Sequence, residues 1–311
     1  MPILKLKPAC KDYLWGGNRL REEYHIEYDR TPLAESWMLS CHPDGPSVIE
    51  NGAYAGKTLC EYIEAEGRGV LGSFGLLFED FPVLIKLIDA HKNLSIQVHP
   101  SNKYAMEHEH QYGKTEMWYI LDAEPGAFLY YGFKQKISGE EFARRIQNDT
   151  LTEVLNAVPV HKGDVFFIPS GTLHAICKGI LIAEIQQNSN VTYRVYDYGR
   201  VGADGKPRAL HIPQALAVTK TEPPRTDYNF GGHLARSEYF TVDALHGSFD
   251  DICDEDSFTS LLILGGTGTI TNGEETLPVR KGDSLFLPAD SGAYTLRGEG
   301  LSALRTRVGT I

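Results

Sequence analysis

Apolar and polar residues alternate along many short stretches of this chain, and clusters of Gly, Pro, Asn and Asp separate those stretches. Alternation with a period of two marks strands with one buried face, and frequent turn residues mark short connections. The clearest run is Leu94-Ser-Ile-Gln-Val-His-Pro100. In an extended strand Leu94, Ile96 and Val98 share one face, while Ser95, Gln97 and His99 share the other. Helical signals are few. Residues 57–66 and 138–158 read as helical, the second opening on Ser138 and Glu141 at capping-box spacing. The pattern therefore predicts a mainly β fold, a sandwich or barrel with a small helical insert at about 138–158.

An internal repeat sharpens this expectation. Lys162-Gly-Asp-Val-Phe-Phe-Ile-Pro169 recurs as Lys281-Gly-Asp-Ser-Leu-Phe-Leu-Pro288. In each copy a Gly-Asp turn opens a β-rich run and a proline closes it, which points to two copies of one β-barrel. The copies then diverge. Ser170-Gly-Thr-Leu-His174 follows the first, whereas Ala289-Asp-Ser-Gly-Ala-Tyr294 follows the second and contains no histidine. Residues 219–228 form a polar, proline-containing connector. The expected domains are thus 1–225, with the helical insert and the chemistry, and 226–311, a degenerate copy without metal ligands.

Composition narrows the function classes. The chain has 311 residues, 42% hydrophobic and 23% charged, as an ordinary soluble globular protein does. Its net charge is -11 and it has no block of Lys or Arg, so nucleic acid is not an expected partner. An anion would need a local basic pocket. The N-terminus lacks the apolar region of a signal peptide, and no run approaches the roughly 20 apolar residues of a membrane span. The five cysteines are scattered and never spaced as Cys-x-x-Cys. Reduced thiols in a cytoplasmic protein follow, and a zinc–thiolate site does not.

Three segments carry candidate chemistry. Ser95, Gln97 and His99 form an inward polar row that is costly to bury unless a cation or polar ligand satisfies it. Lys114, Glu116 and Trp118 share a face by alternation. Gly163-x5-Pro169-x-Gly171-x2-His174 resembles the second motif of the cupin superfamily, whose barrels hold two to four metal ligands inside. Two imidazoles, a carboxylate and an amide oxygen suit a divalent first-row ion, zinc or Fe(II). Gln97 stands where many cupins have the first histidine of His-x-His. Lys86 lies in the apolar run Pro82-Val-Leu-Ile-Lys-Leu-Ile-Asp89, where its ammonium must meet an anion or reach the barrel rim. Arg194 follows the polar segment that leads out of the strand around Glu184.

Five ordered motifs, Tyr13-Leu-Trp-Gly-Gly17, Ala34-Glu-Ser-Trp37, Ser95-Ile-Gln-Val-His-Pro100, Lys114-Thr-Glu-Met117 and Glu184-x9-Arg194, resemble the signatures of type I phosphomannose isomerases. The resemblance spans at least residues 10–215 and is closest to the short bacterial form. It implies a zinc enzyme with one ion per chain that interconverts mannose 6-phosphate and fructose 6-phosphate. By motif, the implied metal ligands are Gln97, His99, Glu116 and His174. The implied active-site arginine is Arg194, and the pocket residues are Trp15, Glu35, Lys86, Ser95, Lys114 and Glu184. A sugar phosphate is the expected partner, with neither nucleic acid nor membrane, and the chain is expected as a monomer or homodimer. There is one departure. Longer members carry an Asn-Ser-Asp-Asn-Val run before the arginine, with an acid implicated in ring opening, whereas this chain has Asn188-Ser-Asn190-Val.

Isomerisation through an enediol needs a base for the carbon-bound proton and charge stabilisation for the enediolate. Lys114 is the first candidate base and Glu184 the second. Arg194 is suited to the enediolate or the phosphate, Lys86 with Ser95 to the phosphate, and Trp15 to an apolar wall. Two other classes use the same residues: a cupin Fe(II) oxygenase, and a sugar-phosphate-binding protein without turnover.

Overall fold

The computed structural model describes residues 2–202 and 205–309. The chain forms two compact units, one of Met1–Lys11, Asn18–Leu87 and Asn229–Ile311, the other of Asp12–Gly17 and Ile88–Tyr228. One break falls at the end of the 219–228 connector. Residues 18–87 group with the C-terminal strands. The cause is long-range pairing: Leu4–Lys7 runs antiparallel to Ser284–Leu287, with Leu4 opposite Phe286.

The fold is mainly β, as the alternation predicts. Among the described residues the sheets are open paths and no closed barrel forms. In the first unit, nine strands make one sheet, with Gly292–Arg307 and Thr259–Asn272 as its long central pair. Their backbones approach so closely that a Cβ at Gly268 would lie 2.1 Å from the Arg297 carbonyl oxygen, and one at Gly298 2.1 Å from that of Thr267. Only glycine fits there.

In the second unit, Val165–Ile168, Glu116–Ala123 and Ile180–Gln187 are neighbours in that order. Five further strands form a separate sheet, ordered Tyr193–Tyr196, Ile96–Val98, His174–Ile176, Phe128–Phe133 and Leu155–Pro159. A jelly roll closes by packing side chains between two such sheets and does not need a continuous ladder. Ile96, Val98, Ala175, Tyr193 and Val195 turn one face of the five-stranded sheet into a core with Phe142 and Ala215 of two covering helices, Gly139–Gln147 and Ile212–Val218. The opposite face is left to Gln97, His99 and His174.

The sequence repeat is a repeat of hydrogen bonds. Gly163 and Gly282 have φ of 92° and 94°, a conformation that favours glycine. Asp164 accepts from the His161 amide at 2.7 Å, and Asp283 from the Arg280 amide at 2.9 Å. Each turn also exchanges two backbone bonds with one isoleucine, Ile120 in the first copy and Ile263 in the second. Ile168 then lies opposite Glu116, and Leu287 opposite Thr259. The second copy therefore puts a threonine hydroxyl where the first puts a carboxylate.

Helix Leu59–Glu66 starts on a reciprocal capping box of Thr58 and Glu61, within the predicted 57–66 segment. The 138–158 expectation is corrected in its second half. The helix covers only Gly139–Gln147, and Ser138 caps it by accepting from the Glu141 amide without a return bond from the Glu141 side chain. Glu141 instead pairs with Arg144 and Arg145. Asn148 ends the helix, Asp149 turns left-handed at φ 58°, and Leu155–Pro159 becomes a strand. Asx residues compete for backbone bonds and so stop helices. Among the described residues no helix is long and apolar enough to cross a membrane.

Candidate metal centre

All residues of the centre lie in the second unit. His99 follows Ile96–Val98, His174 opens its own strand, and Glu116 opens the strand Glu116–Ala123. One ligand atom from each lies within 4.8 Å of the others, and all three residues are buried. His174 Nε2 is 3.2 Å from Glu116 Oε1, and His99 Nε2 is 3.8 Å from the same oxygen.

The tautomers follow from the backbone. His99 Nδ1 lies 2.9 Å from the Val191 carbonyl oxygen, and His174 Nδ1 lies 2.8 Å from that of Thr172. A carbonyl only accepts, so each Nδ1 donates and each Nε2 keeps its lone pair. Burial, partly offset by the bond to Thr172, pushes the His174 pKa down to about 4, so this ring is neutral near pH 7. Its Nε2 is buried and makes no hydrogen bond. Two imidazole lone pairs aimed at one carboxylate oxygen repel unless positive charge sits among them. A divalent cation fits this donor set of two nitrogens and a carboxylate.

The cross-strand register adds two residues. His174 is directly opposite Gln97, and Gln97 is directly opposite Arg194. Directly opposed residues share a face, so His174, Gln97 and Arg194 form one row across the sheet. Gln97 is thus on the same face as His174, as the alternation predicts. The half-buried Arg194 guanidinium makes no salt bridge or side-chain hydrogen bond among the described residues. Burial and the nearby Arg208 hold its pKa below the usual value.

Lys114 is buried with its ammonium 2.9 Å from Glu116 Oε2 and 3.4 Å from Glu184 Oε1. Glu184 Oε2 accepts from Trp118 Nε1 at 2.9 Å, and the Trp118 ring meets His174 edge-on at 5.3 Å. One chain of contacts therefore links indole, carboxylate, ammonium, carboxylate and imidazole. Ser95 is buried on the same strand face as Gln97, and Trp15 is buried with Tyr13 5.7 Å away, ring to ring.

Two pocket candidates belong to the first unit. Lys86 is 3% exposed and does not reach a rim. Its anion is Glu35, at 3.6 Å, and it also lies over the Trp37 ring at 5.0 Å. Glu35 Oε2 in turn accepts from Trp37 Nε1 at 2.8 Å.

The chain matches, over residues 3–125, the family described as "Phosphomannose isomerase type I, catalytic domain", and over residues 232–305 "Mannose-6-phosphate isomerase, cupin domain". A mannose-6-phosphate isomerase of Streptococcus mutans is 40% identical over 305 residues, covering 95% of each chain. The chain belongs to the type I phosphomannose isomerase family. Among solved structures, a mannose 6-phosphate isomerase from Bacillus subtilis superimposes with a TM-score of 0.89 at 35% identity, covering 98% of this chain and 99% of that one. A mannose 6-phosphate isomerase solved with zinc bound shares the fold at 20% identity, with a TM-score of 0.78 over the full length of both chains.

Some features of this chain escape sequence reading. Asp197, three residues past Arg194, is clamped by Arg200 at 2.6 Å and by both ends of Arg208, with Nε at 2.7 Å. Burial pushes Asp197 up, but the two arginines outweigh it and hold the carboxyl below its usual range. No periodicity announces this cluster; the only signal is the density of charge after Arg194. Asn190 is exposed.

Proposed function

We propose that this chain is a zinc-dependent mannose-6-phosphate isomerase that interconverts mannose 6-phosphate and fructose 6-phosphate. The convergence of His99, Glu116 and His174 within 4.8 Å carries this reading. Relatives of that name at 38 to 40% identity over nearly the whole chain, and a relative solved with zinc, support it. His99, Glu116, His174 and Gln97 would hold one ion, all from residues 1–225. Residues 226–311 contribute no ligand.

An ion held there would supply Lewis-acid charge to stabilise the enediolate. The chain's own residues supply the rest. Glu184 stands 3.4 Å from the Lys114 ammonium. Proton transfer from Lys114 to Glu184 leaves a neutral amine, the base that takes a proton from one carbon and returns it to the next. Trp118 fixes the Glu184 carboxylate while this happens. Arg194, which makes no salt bridge among the described residues, holds a substrate oxyanion with its planar fork. Ser95 and Trp15 are assigned to binding the sugar phosphate; Lys86 and Glu35, which the family resemblance also gives as pocket residues, form a mutually fixed pair in the first unit.

The test is chelator dialysis, then zinc titration with a coupled assay for fructose 6-phosphate. Activity that is lost on stripping and returns fully at one zinc per chain is the expected result. Full turnover by the stripped protein overturns the metal assignment. Oxygen uptake with Fe(II) and no isomerisation would instead identify an oxygenase, which two histidines and a carboxylate also suit.

A further inference from the structure

We propose that Cys41 and Cys60 form a reversible disulfide, a modification site in the first unit. Cys41 follows the strand Glu35–Leu39, and Cys60 is the second residue of helix Leu59–Glu66. Cys60 Sγ lies 3.4 Å from the Cys41 carbonyl oxygen, which brings the helix start against the backbone of residue 41. Ser47 holds the two segments together. Its amide donates to Ser40 O and its carbonyl accepts from the Leu59 amide, both at 2.9 Å. Both cysteines are free and half-buried.

The pair is chemically unequal. Burial raises the Cys41 pKa well above normal, while the hydrogen bond from Cys41 lowers that of Cys60. Cys60 is thus the nucleophile and Cys41 the resolving thiol. With a hydroperoxide as oxidant, the Cys60 thiolate attacks the terminal peroxide oxygen. The O–O bond breaks, the alkoxide or hydroxide leaves and takes up a proton, and Cys60 becomes a sulfenic acid. Cys41 sulfur then attacks Cys60 sulfur and expels hydroxide, which leaves as water with the Cys41 proton. The hydroperoxide is reduced by two electrons and the two thiols are oxidised to one S–S bond. The product ties the helix to the segment that leads to His42, whose ring stands edge-on to Trp37 at 5.6 Å.

The experiment treats the full chain with hydrogen peroxide, alkylates the remaining thiols and maps peptides by mass. The expected result is loss of two of the five thiols, a Cys41–Cys60 cross-linked peptide, and recovery of both thiols with dithiothreitol. The oxidised protein should melt on the order of 5 °C higher. Cys60→Ser should lose no thiol at the same dose, and Cys41→Ser should stop at a sulfenic acid that dimedone traps. Five alkylated thiols in the treated wild type overturn the proposal. So does a sulfinic Cys60 beside an unmodified Cys41.

Discussion

The Lys114 ammonium lies 2.9 Å from Glu116 Oε2, while His174 Nε2 lies 3.2 Å from the other oxygen of the same carboxylate. One buried carboxylate therefore serves a cation on one side and two imidazole lone pairs on the other. The proposed metal ligands and the proposed base are coupled through Glu116, and their variants should separate by readout.

Lys114→Met should lower kcat by at least about 100-fold, the usual worth of a positioned acid–base group. Zinc content after desalting should stay near that of the wild type, since both histidines and Glu116 remain. The variant should also lose stability to urea, because it leaves Glu116 and Glu184 buried with less compensation. Wild-type turnover in this variant would remove Lys114 as the base.

His174→Ala should lose zinc and activity together. Removing an outer partner of a ligating histidine costs 10- to 100-fold in metal affinity, so removing the ligand itself should cost more than about 100-fold. Zinc titration followed by competition with a chromophoric chelator measures this directly. Gln97→Ala should weaken binding less than His174→Ala, because a neutral amide oxygen is the poorest donor of the four.

Arg194→Ala should raise KM for mannose 6-phosphate by about 10- to 100-fold, the worth of a charge-assisted hydrogen bond. Arg194→Lys should recover only part of it, since an ammonium lacks the two-pronged fork. Equal KM in all three proteins would separate Arg194 from the substrate.

Glu35→Gln should destabilise the protein by up to about 3–5 kcal/mol, because it removes a buried carboxylate from beside the Lys86 ammonium. Lys86→Met in the same chain should restore most of that loss in a urea melt. A double variant no more stable than Glu35→Gln would show that the pair does not depend on mutual neutralisation.

The two repeat turns should respond differently to a methyl group. Gly163→Ala meets nothing within 4 Å and should cost only the backbone strain, about 1–2 kcal/mol. Gly282→Ala puts a Cβ 1.9 Å from the Tyr24 carbonyl oxygen and should lose clearly more. Thermal melts of the two single variants compare them.

Much of the centre was legible because it rests on local rules. Alternation alone puts Gln97 and His99 on one face and Ile96 and Val98 on the other, and the structure keeps that division. The Gly-Asp repeat predicted matching turns, which share the same hydrogen bonds. What stayed hidden is non-local. The carboxylate beside Lys86 is that of Glu35, 51 residues earlier in the chain, and nothing local to the 82–89 run announces it. The pairing of Leu4–Lys7 with Ser284–Leu287 joins the chain's two ends, a contact no window of sequence contains. The 138–158 segment misled because its helical start was real, and the stop depended on how Asn148 and Asp149 compete for the backbone.

The row His174, Gln97, Arg194 crosses three neighbouring antiparallel strands. Neighbouring strands are about 4.8 Å apart, so the span between imidazole and guanidinium backbones is set by main-chain spacing and not by side-chain choice. Such a gauge can be lengthened or shortened only in whole steps. A slip of one residue would turn Gln97 into the apolar layer and leave no intermediate setting.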